Sequence, residues 1–469
     1  MECSNMADSF VSTDVLILGG GPAGIQAANL LRRHNNDLRV TLVRPEQHSM
    51  IYCAIPYALE GLFPLTTTYK KDAMLTDCGA RLIRGTAAAV DFADRRITLA
   101  SGGAVAYSKL LIATGAEPVY PPVPGAGLAN IFTVKTQEDA QRIISVLTGG
   151  NCRDHELVKC GPDGPKKVVV VGAGAIGMEQ AAAYRVQGME VHLVEMQGWV
   201  LPQMLDEDMA QPVHDALREA GIHLHVGVSV EGFEGVDAVA TVRLSDGSRI
   251  ELDAGRDFVV MAVGMRPCVD VFQGSDLQLG RDGVVVDAQM RTSIPGVWAA
   301  GDCCQFVSGI DGQPIGGKLA TNAVPMAKVA ALDILRKQAR YPGFFNGAAT
   351  VVGRLRVGGT GFTEQVAVQR GCEVYSTYGD TTSRFPMMPG ATAVRVKLVV
   401  EAGTRRLLGG QVWGSEAVAE RVDLLTLALQ QKMTVDQLAE FSYSAQPWQT
   451  FFPARNAIVE AAQKAVGLL

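Results

Sequence analysis

The chain has 469 residues, 48% of them hydrophobic and 19% charged, with a formal net charge of −6. Those values describe a globular protein of about three domains and exclude a disordered or fibrous chain, and the acidic balance argues against a nucleic-acid surface. Its most apolar stretch, 15–31, is broken by three consecutive glycines and Pro22, so it falls short of the roughly 20 unbroken apolar residues of a membrane span. Residues 14–18 read as a short strand, followed at once by Gly19-Gly20-Gly21-Pro22-Ala23-Gly24, a GxGxxG pattern opening a helix over 25–33. Such glycines let the backbone turn tightly and approach a pyrophosphate, whose charge a helix N-terminus favours. A second strand, 38–43, follows at the spacing of a βαβ unit. An acidic residue ordinarily ends this strand to hold the adenosine ribose. Here Arg44 stands in that place, and Glu46, two positions on, is the candidate for the contact.

Immediately beyond lies Met50–Gly61, MIYCAIPYALEG, with one thiol, Cys53. Its position, just past the second strand of a dinucleotide-binding pattern, puts a thiol where a bound flavin would lie; the alternative is a buried structural cysteine. The βαβ pattern then recurs. A strand over 167–171 leads into Gly172-Ala173-Gly174-Ala175-Ile176-Gly177, a helix over 178–187 and a strand over 190–194 that ends in Glu195. That carboxylate suits a ribose diol and repels a 2′-phosphate, which favours NADH over NADPH. Two fingerprints about 150 residues apart imply two nucleotide ligands, and flavin with nicotinamide is the economical pair. Leu110-Leu111-Ile112-Ala113-Thr114-Gly115 and the run from Phe258 to Gly264 each read as a strand that leaves one domain for another. Farther on, Ala299-Ala300-Gly301-Asp302 ends a strand with a carboxylate placed to hold the hydroxyls of a flavin ribityl chain.

The double fingerprint, Ala113-Thr114-Gly115 and Ala300-Gly301-Asp302 together resemble the FAD-dependent pyridine nucleotide-disulfide oxidoreductases over nearly the whole chain. The resemblance implies an α/β protein with two Rossmann-like domains and a C-terminal α+β dimerisation domain. The FAD domain is expected over 1–118 and 266–345, the NADH domain over 119–265 and the homodimer-forming domain over 346–469. By motif, Gly19, Gly21, Pro22, Ala23 and Gly24 fall to the FAD pyrophosphate and Asp302 to the ribityl chain. Gly172, Gly174, Ile176 and Gly177 fall to NADH, and Glu179 to the place where flavin and nicotinamide meet. Ala175 stands where relatives often carry an aromatic gate.

Dithiol members of the superfamily use CxxxxC, but the residue five after Cys53 is Ala58. Cys53-Ala54-Ile55-Pro56-Tyr57 is instead similar to the Cys-Gly-x-Pro-Tyr of the single-cysteine subgroup. That subgroup comprises coenzyme A-disulfide reductases, NADH-dependent polysulfide or persulfide reductases, NADH oxidases and NADH peroxidases. A lone thiolate beside flavin can attack a disulfide or sulfane sulfur, so the expected substrate is a small sulfur compound, with coenzyme A as a candidate carrier. Pro22 and Ala23 occupy the turn where peroxidases and oxidases carry a histidine, which tilts the reading from peroxide to sulfur. Oxygen reduction as an NADH oxidase is the runner-up, and a flavin-nicotinamide redox sensor is an alternative of another class. Coenzyme A specificity is weakened by late Arg32 and Arg33 in the first helix and by Met387 and Met388 where relatives carry a tyrosine. Tyr443 matches the second tyrosine of that pair and is expected to reach across the dimer toward Cys53. Tyr69, Lys70 and Lys71 either meet a phosphorylated substrate or form a plain solvated stretch.

The nine cysteines show no regular spacing, and the first fourteen residues are polar with no signal-peptide pattern, so the cytoplasm is the expected compartment. Cys303 and Cys304 read as small packing residues, Cys3, Cys78, Cys268 and Cys372 carry no motif, and 148–167, with Cys152, His155 and Cys160, reads as a surface loop without a metal site. Beyond 343 the pattern gives strands over 351–357, 393–400 and 407–413, and an interface helix over 417–432. The aromatic segment 446–453, QPWQTFFP, is expected to be buried against a partner subunit.

Overall fold

The computed structural model describes residues 10–469; Cys3 lies outside them. Three sheets organise the chain. The first contains seven strands, with Val40–Arg44, Phe10–Leu18, Ala104–Ile112 and Val297–Ala299 all parallel. Val40–Arg44 is buried at every position, as expected of a parallel strand covered on both faces. The helices Pro22–His34 and Ala320–Ile334 pack against each other over this sheet. Both fingerprint helices start three residues earlier than the sequence pattern indicates, at Pro22 and Ala175. Proline suits a first helical turn, whose N–H is unpaired in any case.

The second sheet is parallel throughout, in the order Ile131–Phe132, Phe258–Met261, Lys167–Val171, Glu190–Glu195, Ile222–Val226. One face packs on the helices Ala175–Val186 and Glu207–Glu219, and part of the other on an antiparallel three-stranded sheet from Val230 to Glu251. Between the first two sheets the chain crosses twice, and the crossings Ala116–Pro118 and Met265–Pro267 pair antiparallel. The third sheet is antiparallel, in the order Ala348–Val352, Leu355–Gly361, Leu407–Gly414, Ala393–Glu401, Val374–Thr382.

Three expectations need correction. The strand expected over 351–357 is a hairpin, because Gly353 takes φ +57° and turns the chain between Val352 and Leu355. The helix Val418–Gln430 buries Val418, Val422, Leu425 and Leu429 in the core of its own sheet, so its apolar face is already covered within the chain. The 148–167 segment has no regular structure between Thr148 and Lys167, yet it is not merely a solvated loop. Val158 is buried, the Asp154 carbonyl accepts from the Thr66 N–H at 2.9 Å, and the Asp154 carboxylate accepts from the Tyr69 hydroxyl at 2.6 Å. The segment therefore straps the residues around Cys53 to the second sheet's domain. Within this chain Trp448 is 52% exposed and Phe452 also exposed, while Phe451 is buried.

The second and third sheets are tied by a buried ionic knot. Lys397, 2% exposed, lies 3.1 Å from Asp206, 2.9 Å from Asp208 and 3.0 Å from Glu364. Asp206 also accepts from the backbone N–H groups of Glu364 and Gln365. Burial opposes the ammonium form of Lys397, but its carboxylate partners outweigh this and raise its pKa. Burial likewise opposes the Asp208 carboxylate, which Tyr378 and Lys397 nevertheless hold below its usual pKa. Removing one partner of such a pair leaves an uncompensated buried charge, at about 3–5 kcal/mol. Lys397→Met leaves the buried Asp206 carboxylate uncompensated and is therefore expected to lower the unfolding free energy by up to that amount at neutral pH. The Asp208 contribution is present above its unfolded pKa and lost as pH falls through its depressed folded value. The difference between variant and parent should accordingly narrow in acid, a trend that urea titrations at several pH values would check.

Candidate active site

Cys53 is placed by a short stretch of tightly specified backbone. Ser49–Met50 pairs antiparallel with Tyr69–Lys70, and the Ile51 N–H donates to the Thr68 carbonyl at 2.8 Å. The chain then makes a 3-10 turn over Tyr52–Ala54 and enters the helix Ile55–Glu60, with Pro56 in its first turn. Gly61 ends that helix at φ +91°, and a side chain there would meet the Val158 carbonyl at 2.5 Å. Cys53 itself is exposed, while Ala58, where dithiol relatives carry the second cysteine, is fully buried.

Two groups lie near the thiol, and a third stands behind one of them. Lys70 lies close enough for its charge to couple with that of Cys53, although burial pushes the ammonium pKa down. Tyr57, four residues on, is pushed up to about 12 by burial and by the Glu179 carboxylate with which its hydroxyl is paired. Glu179 is pushed up by burial, against hydrogen bonds from Thr350, at 2.8 Å, and Tyr57. Cys53, Tyr57, Glu179 and Thr350 thus form a chain of neighbours that touches all three sheet units. Gln187 adds a second link: its amide donates to the carbonyls of Leu59, Glu60 and Val158 at 2.9–3.1 Å and accepts from the Cys160 N–H at 2.8 Å.

The two glycine fingerprints have the same construction. Gly19 takes φ +112°, and a Cβ there would fall 2.0 Å from the Ala113 carbonyl oxygen; Gly172 takes φ +100°, and its Cβ would fall 2.4 Å from that of Ala262. A Cβ on Gly24 would lie 2.0 Å from the Gly19 oxygen, and one on Gly177 1.8 Å from the Gly172 oxygen. Only the middle glycines, Gly21 and Gly174, face open space, each at the N-cap of its helix. Both helix N-termini therefore offer first-turn N–H groups to an anion. Ala23 is buried with its Cβ against Gly301, Ala175 is half-buried, and Ile176 is exposed.

Asp302 fits a hydroxylated ligand. Its Oδ1 is buried and has no hydrogen-bond partner among the described residues, and burial pushes its carboxyl up against the opposing charges of Lys135 and Lys318. A buried carboxylate oxygen calls for a donor, which ribityl hydroxyls would supply. Lys135 also lies 4.6 Å over the Tyr52 ring, so the Cys53 turn and Asp302 share one neighbourhood. The Thr114 hydroxyl donates to the Cys268 carbonyl, the Gly115 carbonyl accepts from the Cys268 N–H, and the Gly264 carbonyl accepts from Val119, which locks the crossings together.

The remaining candidates are placed as follows. Arg44 is 1% exposed, paired with Asp72 at 2.5 Å, and its stem covers Gly20; Glu46 is half-buried near Arg44 and Tyr52. The Glu195 carboxylate accepts from the N–H groups of Ala173, inside the second fingerprint, and Gln197, at 2.8 and 2.9 Å. Tyr69 is less available than the sequence indicates, since its hydroxyl is held by Asp154 and its ring stacks on His48 at 4.7 Å. Lys71 is exposed. Tyr443 is exposed, with its hydroxyl on the Pro453 carbonyl. Cys303 and Cys304 are fully buried in the core of the first sheet. Sequence reasoning missed Lys135 and Thr350, which lie far from any motif, and Gln187, which closes the second fingerprint helix with no pattern to single it out; Tyr57 carried a usable signal in its four-residue spacing from Cys53.

Residues 13–327 match the pyridine nucleotide-disulphide oxidoreductase family, and 348–450 its dimerisation domain. An NADH oxidase of Methanocaldococcus jannaschii is 30% identical, over 96% of this chain and 98% of its own. An NAD(P)H coenzyme A polysulfide/persulfide reductase of Pyrococcus horikoshii is 29% identical, over 87% and 89%. The structure of an NAD-dependent persulfide reductase from A. fulgidus superimposes with a TM-score of 0.88 at 29% identity, over 97% of this chain and 83% of that one. The chain belongs to the pyridine nucleotide-disulphide oxidoreductases and is an oxidoreductase. Among the described residues no helix is long and apolar enough to cross a membrane.

The glycine geometry separates two outcomes. Gly24→Ala, forced against a backbone carbonyl, is expected to destabilise the chain by about 1–3 kcal/mol. Gly21→Ala, facing open space but at an N-cap where alanine is disfavoured, should cost flavin-stripped protein less thermal stability than Gly24→Ala while weakening flavin retention. Calorimetry and flavin absorbance would check the pair.

Proposed function

We propose that this chain is an FAD-containing, NADH-dependent reductase of low-molecular-weight disulfides, coenzyme A persulfide or disulfide, or polysulfide, with Cys53 as its single redox thiol. The observation that carries the reading is the exposed Cys53, set in a rigid turn beside Lys70, with buried Ala58 in place of a second thiol. FAD binds the domain formed by 1–118 and 266–345, with its pyrophosphate at Gly19, Gly21 and Gly24 and its ribityl hydroxyls at Asp302. NADH binds the domain of 119–265, where Glu195 faces the ribose and Glu179 the nicotinamide. When bound, FAD supplies two-electron transfer between NADH and the thiol.

The Cys53 thiolate attacks one sulfur of the substrate; a bond forms between Cys53 Sγ and that sulfur, the substrate S–S bond breaks, and the second sulfur leaves as a thiolate. Two electrons from NADH then cleave the mixed disulfide or persulfide and return Cys53 to the thiolate. Tyr57 and Glu179 hold the cysteine helix against the nicotinamide side. Residues 346–469 make the homodimer, with Tyr443 and the exposed aromatics of 446–453 at the partner surface.

A second reading, an NADH oxidase, is favoured by the name of the M. jannaschii relative and by the small Ala175 at the nicotinamide side. Anaerobic NADH oxidation with coenzyme A disulfide, coenzyme A persulfide and polysulfide distinguishes the two. Cys53→Ser is expected to cost several orders of magnitude in sulfur-dependent turnover, as loss of a covalent nucleophile does. Full activity in that variant would sink the assignment, and oxygen consumption that survives it would support the oxidase. Tyr57→Phe with Thr350→Val removes two donors from the Glu179 carboxylate, so its already raised pKa should rise further. The acid limb of kcat/KM should move to higher pH.

A further inference from the structure

The outer face of the second sheet carries a constellation that the redox chemistry does not use. Three of the chain's seven histidines lie on two adjacent parallel strands, Glu190–Glu195 and Ile222–Val226. The register sets His192 opposite His223 and Val194 opposite His225, so the three imidazoles share one face. Glu190, two residues before His192, projects on the same face. The His192 ring stacks between those of His223 and His225, with centroids at 4.8 and 5.3 Å. Ligand atoms of Glu190, His192 and His223 all lie within 4.8 Å of one another.

We propose that Glu190, His192 and His223 form a site for a borderline divalent transition metal of the zinc class, with His225 as the partner that orients His192. Tetrahedral ligation with bonds of about 2.0–2.1 Å needs ligand atoms roughly 3.3 Å apart, within reach of small side-chain rotations from the observed spacing. His192 has the arrangement such a ligand requires. Its Nε2 lies 2.9 Å from Glu190 Oε1, and its Nδ1 lies 3.0 Å from His225 Nε2. Ligation through Nε2 leaves the proton on Nδ1, donated to His225, and a hydrogen bond of that kind fixes tautomer and ring plane. Two charged groups face the site: Lys167, whose Nζ is 3.3 Å from Glu190 Oε1, and Asp246, which acts electrostatically on His225. A carboxylate with two oxygens can serve Lys167 and a metal together. Glu190 and His223 are exposed, so the ion enters from solvent, and the fourth position falls to water. The ion would clasp the edge strand Ile222–Val226 to its inner neighbour.

The test is titration of untagged, flavin-loaded protein with Zn2+ and with Co2+. One-to-one binding is expected, with a Co2+ absorption spectrum of nitrogen and oxygen ligands that lacks thiolate charge-transfer bands, and a higher unfolding temperature on metal addition. His192→Ala and His223→Ala should each weaken binding at least tenfold, and His225→Ala by roughly 10–100-fold, the usual cost of an outer partner. The exposed His34→Ala should change nothing. Thiolate bands in the parent protein, or equal affinity in the parent and the His192→Ala/His223→Ala double variant, would overturn the proposal. An ordinary surface histidine stack predicts the second of those results.

Discussion

The architecture depends on two places where one backbone presses directly on another. Gly19 meets the Ala113 carbonyl and Gly172 that of Ala262, closer than any side chain would permit. In each case the partner carbonyl belongs to the strand end from which the chain crosses to the other domain. The contact that shapes the anion cradle therefore lies at the start of the crossing, a few residues before the antiparallel pairing of Ala116–Pro118 with Met265–Pro267. A fingerprint glycine in this fold is as much a joint between domains as a ligand contact.

Cys53 is held by several domains at once. Its own strand pair and helix are short, and short elements are weak on their own. The rigidity comes from outside: Gln187 grips the C-terminal carbonyls of the cysteine helix, Asp154 grips Tyr69, and Tyr57 reaches Glu179, itself bonded to Thr350. A nucleophile on an exposed turn gains its precision from the elements behind it.

Much of the fold was legible because its signals are local. A valine run before a GxGxxG pattern leaves few alternatives to strand, turn and helix, and both fingerprints appear with strands where expected. The hairpin at Gly353 was missed because the valines and leucine of 351–357 read as one strand, and a single glycine within it carries two meanings. The Asp302 carboxylate ends a legible motif, but Lys135 beside it comes from a distant part of the chain, with no sequence spacing to announce it. The strap was misread for a related reason: composition rich in Gly, Pro and charge describes a loop correctly but says nothing of what the loop lies on. Side chains that act across domain boundaries are set by tertiary geometry, which periodicity does not encode.

Gly61 closes the cysteine helix under two independent restrictions, a left-handed backbone and a carbonyl from the strap occupying the space of its missing side chain. The first belongs to the helix end and the second to a segment about a hundred residues away. In evolutionary terms the two are linked but unequal. Shortening the strap would relieve the crowding and leave the conformational demand, so the glycine can outlive the loop. The loop in its present path cannot outlive the glycine. Grafting this strap onto a related scaffold would therefore have to carry Gly61 with it, whereas deleting the strap would leave only the left-handed backbone, which asparagine can also adopt.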